Sequence, residues 1–416
     1  MTVAGLPLRT PWRGGVVLAV FAIAPLMGYL GPLGFAVLVP VGGLLLAPFW
    51  ARPRDSWPVI VLFGALVLWA VGSSGWSAAR PVTFAEYDDL EQVTALKLVL
   101  QMALYSAFAV GAARLSGRSA ERTYEVLGWG VLAMALVLLV EGFSGAALYQ
   151  WFKQVFEDPI RPDLAVRNVG QGSVLLALLA WPVLLRLRGR RPWAMYAVVV
   201  AVLISSVMLG QASPAAAFLI GGVFVLVVLR FGRAGARAIA AVLAAGILAA
   251  PFLLIAAQGA GVLDTLARSL PASWEARLVI WPWVAERVVQ HPLFGWGLDA
   301  SRTIGGPVPL HPHNAPLQIW LELGAIGAAV LALAWAWIFE KIGEAARLDR
   351  AGAAACAGAA GAYFAVGALS YGVWQEWWLA LGALTAAACV VLLAARARAL
   401  MAERPQTLQT DELTPL

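Results

Sequence analysis

The sequence predicts an all-α polytopic membrane protein of about twelve transmembrane helices, with one large outward-facing loop containing amphipathic helices. Three observations predict it. Of its 416 residues, 61% are hydrophobic and only 12% charged, and mean hydropathy is +0.80; soluble domains carry roughly 25% charged residues. Apolar runs near the ~20 residues needed to cross a bilayer recur along the whole chain. The connections between them alternate in charge, as the positive-inside rule requires.

The runs lie at about 14–31, 34–50, 57–74, 94–114, 123–143, 170–186, 193–210, 214–230, 236–257, 315–339, 352–371 and 377–395. Arg9 and Arg13 precede the first, which resembles a signal peptide; further runs follow at once, so it reads as an uncleaved signal anchor. The second run holds Pro40, Gly42 and Gly43, and the ninth abuts the large loop. The sequence leaves open whether these two are complete or partly re-entrant. Basic residues mark the even connections: Arg52 and Arg54; Arg114, Arg118 and Arg122; Arg186, Arg188, Arg190 and Arg191; Arg230, Arg233 and Arg237; Lys341, Arg347 and Arg350. Arg396, Arg398 and Arg404 follow the last run. Acidic residues mark odd connections: Glu86, Asp88, Asp89 and Glu91, then Glu157, Asp158 and Asp163. Both termini are therefore expected to be cytoplasmic. Residues 1–416 read as one integral membrane domain, 258–314 as the outward loop between spans nine and ten, and 405–416 as a short, disordered cytoplasmic tail. The two cysteines, Cys356 and Cys389, fall inside apolar runs and read as small core residues.

The loop carries the unusual chemistry. His291-Pro292-Leu293-Phe294-Gly295-Trp296-Gly297 is followed by His311-Pro312-His313-Asn314, so all three histidines lie in one stretch. Asn314 suits an N-cap, and Pro316 is tolerated in a first helical turn. His313 should then sit at the positive end of a helix. Upstream, Trp274, Leu278 and Trp281 form a helical stripe, with Arg277 and Trp281 neighbours at i, i+4. Pro282 should end or restart that helix, which reads as lying on the membrane over a cavity.

Other motifs are missing. No Gly-rich phosphate loop follows a strand, and no Cys/His spacing suits zinc. The cluster Glu86, Asp88, Asp89 and Glu91 reads as a solvated acidic loop, so no metal and no cofactor are expected. The basic residues sit on short connections that the positive-inside rule explains, which argues against nucleic acid.

The two His motifs, continuing as Ala315-Pro316-Leu317-Gln318-Ile319-Trp320-Leu321-Glu322-Leu323-Gly324, resemble the signature of the O-antigen ligase and polymerase superfamily. Arg277-Leu278-Val279-Ile280-Trp281 resembles that family's Arg-plus-Trp element. The likeness is strongest to the bacterial O-antigen ligases and covers about 270–327 in detail. It implies an inner-membrane glycosyltransferase whose loop and active site face the periplasm. The implied donor is a glycan on undecaprenyl pyrophosphate, and the implied acceptor is a sugar hydroxyl of lipid A–core, within membrane lipids and without a nucleotide sugar. His313 matches the family's catalytic histidine and Arg277 its diphosphate-binding arginine. Arg167, in Val166-Arg167-Asn168-Val169-Gly170-Gln171-Gly172, is the best second arginine. One departure stands out: Gln211-Ala212-Ser213-Pro214 lies where many relatives have a Ser-Arg pair, and the Arg is absent.

The residues alone suit the same outline. A leaving diphosphate needs its charge neutralised, and guanidiniums do this with forked hydrogen bonds. A sugar hydroxyl needs a base, and His titrates near neutrality. Direct attack would invert the anomeric carbon, with no metal required. Supporting positions are His311, Asn314, Trp281, Glu322 and Arg302. Each has a plainer reading: His313 as a cap residue, Arg277 as an interfacial arginine, Glu322 as a buried structural hydrogen-bonding group, Arg302 as a loop charge. Lys97 and Glu376 read as interfacial. Competing functions are an O-antigen or exopolysaccharide polymerase, a protein O-oligosaccharyltransferase and, outside the superfamily, a transporter.

Overall fold

The computed structural model describes residues 6–47, 57–80, 93–268 and 272–403. The acidic cluster Glu86, Asp88, Asp89 and Glu91, the connection with Arg52 and Arg54, and the tail from Arg404 lie outside them. Every regular element among the described residues is helical. In order these are α1 (Leu6–Leu30), α2 (Phe35–Leu46), α3 (Trp57–Ser73), α4 (Thr94–Ala113), α5 (Gly117–Ser144), α6 (Ala147–Phe156), α7 (Pro162–Gly170), α8 (Gly172–Arg190), α9 (Pro192–Met208), α10 (Ala212–Gly259), α11 (Val262–Ala267), α12 (Ala272–Val288), α13 (Ala315–Ala345), α14 (Arg350–Leu369) and α15 (Glu376–Glu403). Among the described residues, eight helices are long and apolar enough to cross a membrane, and three shorter apolar ones accompany them. The protein is therefore an all-α polytopic membrane protein.

Over the described residues all twelve apolar runs are mainly helical, though not as twelve separate helices. The eighth and ninth runs form α10, which reverses at Gly232 (φ 56°, ψ −129°). That left-handed backbone suits glycine. Arg233 and Arg237, just past the reversal, pair with Glu340 on α13; Arg237 Nε lies 2.8 Å from Glu340 Oε2. Farther along, Trp320 Nε1 donates to Ile247 O at 2.7 Å. The second arm of α10 therefore runs antiparallel to α13.

The second run is short. Its apolar helical stretch, Pro32–Leu46, is below the ~20 residues of a full span. The region 258–314 is more ordered than a loop. It holds α11, α12 and a 3₁₀ turn, Ala300–Arg302. Two expectations for α12 need correction. The helix runs straight through Pro282, and its apolar face does not lie on lipid. Ile280, Val284, Ala285 and Val288 are buried in one core with α3, α13 and the second arm of α10. That packing holds the helix across the hydrogen bond Pro cannot make.

Candidate active site

The site is built around a break in α13. Asn314 caps the helix, its Oδ1 accepting Leu317 N–H at 2.9 Å, with Pro316 in the first turn. Ten residues on, Gly324 leaves helical geometry (φ 64°, ψ −162°), and the carbonyls around it lose their intrahelical donors. The first His motif replaces those donors. Trp296 N–H donates to Leu321 O and Gly297 N–H to Glu322 O, both at 2.8 Å, while Ala325 N–H donates to Pro292 O at 2.8 Å. Trp69 Nε1 on α3 donates to Leu323 O at 3.0 Å. This contact is backbone against backbone: a Cβ on Gly295 would come within 2.5 Å of Glu322 O, and one on Gly324 within 2.3 Å of Leu293 O. The motif is thus a plug in a broken span. Irregular backbone at this depth is tolerated because protein groups satisfy it.

His291 turns the chain after α12, its carbonyl accepting Gly295 N–H at 3.0 Å. Its ring packs edge-on against Trp296. It also lines a cavity of about 1020 Å³ with Trp69, Trp76, Arg287, Phe294 and Trp296. His311, His313 and Arg277 do not line this cavity.

The two other histidines have opposite tautomers. His313 sits at φ 54°, and its Nδ1 faces Ser370 O at 2.7 Å. A carbonyl only accepts, so Nδ1 carries the proton and Nε2 holds the lone pair. His311 Nδ1 instead accepts the His313 backbone N–H at 3.2 Å, which puts its proton on Nε2. Both rings are held neutral. Burial pushes His311 down to about 4, and His313, Arg302 and Arg277 add to the shift. Burial also lowers His313 and Arg277 lowers it further, while the Ser370 hydrogen bond opposes them. For both rings burial is the first cause.

Arg277 Nε donates to Leu369 O at 2.8 Å, and the guanidinium lies over Trp274, 5.2 Å from the ring centroid. Trp274, one turn back, is the ring it packs on. Trp281 Nε1 donates instead to Pro312 O at 2.9 Å, tying α12 to the second His motif. Arg277 and His313 are therefore fixed on consecutive carbonyls, Leu369 and Ser370, at the C-terminal end of α14. That end carries the negative pole of the helix dipole. Half-burial lowers the Arg277 pKa from its ordinary value, but an arginine stays charged throughout the physiological range.

The remaining expected residues spread out. Glu322 is fully buried. It accepts from Gln318 Nε2 at 2.9 Å, Trp374 Nε1 at 2.6 Å and Asp299 N–H at 2.9 Å. Arg302 is exposed and lies 3.4 Å from Asp299 Oδ1. Arg167 is exposed on α7, which packs on α1, α5, α6 and α8 rather than on α12 or α13. Gly170, three residues on, lies against Gln211, so α7 borders the place where the Ser-Arg pair is missing. Lys97 and Glu376 pair with each other at 2.7 Å. Sequence reasoning missed the 369–375 segment, which holds both His313 and Arg277. Its only signal is the polar and aromatic run Ser370-Tyr371-Gly372-Val373-Trp374-Gln375 between two apolar spans.

Comparison with known proteins fits this arrangement. Residues 197–332 match the O-antigen ligase family. The resemblance carried by the His motifs is borne out over that segment, which holds Arg277, both motifs and the break in α13. Among curated proteins, one described as "Putative polysaccharide ligase" in Rickettsia conorii is 27% identical over 271 residues, covering 61% of this chain and 63% of the relative. A protein of the same description in Rickettsia typhi is 27% identical over 270 residues, covering 61% and 64%. Another, in Rickettsia bellii, is 30% identical over 272 residues, covering 61% and 63%. The chain thus spans somewhat under two thirds of the length of these relatives. The O-antigen ligase match ends before residue 369, so it leaves out the carbonyls on which Arg277 and His313 rest.

Proposed function

We propose that this protein transfers a glycan from undecaprenyl pyrophosphate to a sugar hydroxyl of lipid A–core on the periplasmic face of the bacterial inner membrane. The observation that carries the reading is the placement of His313 and Arg277 on adjacent carbonyls. This sets a neutral base beside a cation at the end of a membrane bundle. His313 Nε2 takes the proton of the acceptor hydroxyl. The hydroxyl oxygen forms the new bond to the anomeric carbon as the bond from that carbon to the phosphate oxygen breaks, and the lipid diphosphate leaves. Arg277 stabilises the charge that grows on the leaving oxygen, a task a planar guanidinium performs by forked hydrogen bonding. One displacement inverts the anomeric centre. His311 is the poorer base because its Nδ1 lone pair is already engaged by the His313 N–H. Arg167 is the second candidate for the donor phosphates, since the helix that carries it borders the position where the usual arginine is missing.

The test is transfer from a lipid-linked oligosaccharide to purified lipid A–core. His313→Ala should abolish transfer while leaving donor binding largely intact. A folded His313→Ala protein with near wild-type rates overturns the assignment. The reading uses no metal, so transfer should survive excess chelator; a requirement for added magnesium or manganese would count against it.

A further inference from the structure

Two buried polar side chains on α13 have no part in that mechanism as written. Gln318 and Glu322 stand one turn apart, 3% and 0% exposed. Gln318 Nε2 donates to Glu322 Oε1 at 2.9 Å. Gln318 Oε1 accepts Val373 N–H at 2.9 Å. Glu322 Oε2 accepts Trp374 Nε1 at 2.6 Å and Asp299 N–H at 2.9 Å. The pair therefore grips residues 373 and 374 of the segment joining α14 to α15.

That segment faces the histidines along its length. Leu369 O holds Arg277 Nε, and Ser370 O holds His313 Nδ1. Gly372 lies so close to His311 that a Cβ would stand 2.8 Å from Cδ2. Gln375 Nε2 lies 3.5 Å from His311 Nε2.

We infer that Gln318 and Glu322 are positioning residues: by clamping Val373 and Trp374 they hold Ser370 O on His313 Nδ1, which keeps the His313 lone pair on Nε2. Neither touches substrate. The inference rests on the reading of His313 as the base. The cost of a buried carboxylate in a span fits it, since such groups are expensive and tend to serve function. A shift of about 1 Å in a catalytic group costs on the order of 10²-fold in rate, so a clamp on Val373 and Trp374, a few residues past Ser370, is enough to matter.

The hydrogen-bond pattern supplies its own test. In Glu322→Gln, two amides meet, and one hydrogen bond of the cluster is lost. In Gln318→Glu, two carboxylates meet. The double swap Gln318→Glu/Glu322→Gln restores every bond: Glu at 318 accepts from Val373 and from the new amide, whose oxygen accepts from Trp374 and Asp299. Each single variant should lose on the order of 10²-fold in transfer rate, and the swap should recover most of it. The pH profile separates positioning from bulk stability. The Ser370 carbonyl raises His313's affinity for its proton, so loosening it should move the acid limb of transfer to lower pH, and the swap should move it back. The other groups facing this site are few. His311 shares the loop with His313, Arg277 reaches both rings from α12, and Arg302 acts on His311. Tyr371 acts on Arg277, and Glu376 pairs with Lys97. Asp299, whose backbone N–H bonds Glu322, also pairs with Arg302.

Trp374→Phe removes the indole N–H from the clamp and shortens a ring buried in the same core. It carries the same test, with a smaller shift in the same direction, if either single variant fails to fold. Folded Glu322→Gln and Trp374→Phe proteins with unchanged rate and profile overturn the inference, as does a folded swap that recovers nothing. If His313→Ala itself retains transfer, the base assignment falls first. If His313→Ala is inactive while the clamp variants match wild type, only the clamp falls.

Discussion

His313 carries the sharpest consequences at the scale of single residues. A general base typically contributes about 10²–10⁴-fold, so His313→Ala should lose rate in that range with donor affinity little changed. Arg277→Ala should weaken both donor binding and turnover, because the diphosphate is charged before the reaction and gains charge during it. Arg277→Lys should recover only part, since an ammonium is a point charge without the fork. Isothermal binding of the lipid-linked donor, measured beside transfer, separates these outcomes; equal binding by Arg277→Ala and wild type would remove Arg277 from the phosphate. With His313 as the proposed base, transfer would need it neutral, and burial holds its pKa below the ordinary 6.5. Transfer should therefore be full at neutral pH and lost only as pH falls through that lowered value. An acid limb above 6.5 in the rate profile would contradict the environment described. Much of this was legible in the sequence. Asn314 and Pro316 announced the helix start, and the spacing of the two His motifs announced the loop. The partners of Arg277 and His313 were not, because Leu369 and Ser370 lie 92 and 57 residues away and contribute only backbone, which has no residue signature.

The broken span dominates at the scale of elements. From the sequence, 315–339 is one apolar run, and its two glycines, Gly324 and Gly327, give no warning of a break at the first. Periodicity reports which residues are apolar, not where backbone carbonyls go unpaired. The same holds for α12, where Pro282 suggested an end that tertiary packing overrides. At α10, by contrast, basic residues between the two runs placed the reversal correctly near Gly232. Gly324→Ala should be severe. It forces a side chain into left-handed backbone, a cost of about 1–3 kcal/mol, and drives its Cβ into Leu293 O. The expected result is a lower melting temperature in detergent with loss of the monodisperse species. Gly246→Ala, on α10 with open space around it, is the matched control. A Gly324→Ala protein as stable as that control would mean that α13 can close into a continuous helix and release the plug.

Orientation is the prediction at the scale of the whole molecule. Ion pairs such as Arg186–Glu125, Arg233–Glu340 and Arg396–Asp349 gather at one end of the bundle, and the histidines lie at the other. If the basic end is cytoplasmic, Thr303→Cys should react with a membrane-impermeant thiol reagent in spheroplasts and Ser116→Cys should not. The background is a protein with Cys356 and Cys389 replaced by Ala. Labelling of Ser116→Cys alone would invert the topology and move the site to the cytoplasm. The charge alternation that predicts this was plain in the sequence, because orientation depends on composition near span ends rather than on long-range contacts.

The carbonyls that seat Arg277 and His313 also bear on the order of synthesis. The plug 292–297 is made before α13, so the partners for its open carbonyls already exist when that span emerges. Leu369 and Ser370 come later, at the end of the next helix. A nascent chain halted after α13 would contain both His motifs, Arg277 and Glu322, with nothing to fix the His313 tautomer. With His313 as the base, transfer would have to wait until α14 is inserted, and a chain cut before α14 would carry both His motifs with the base unseated.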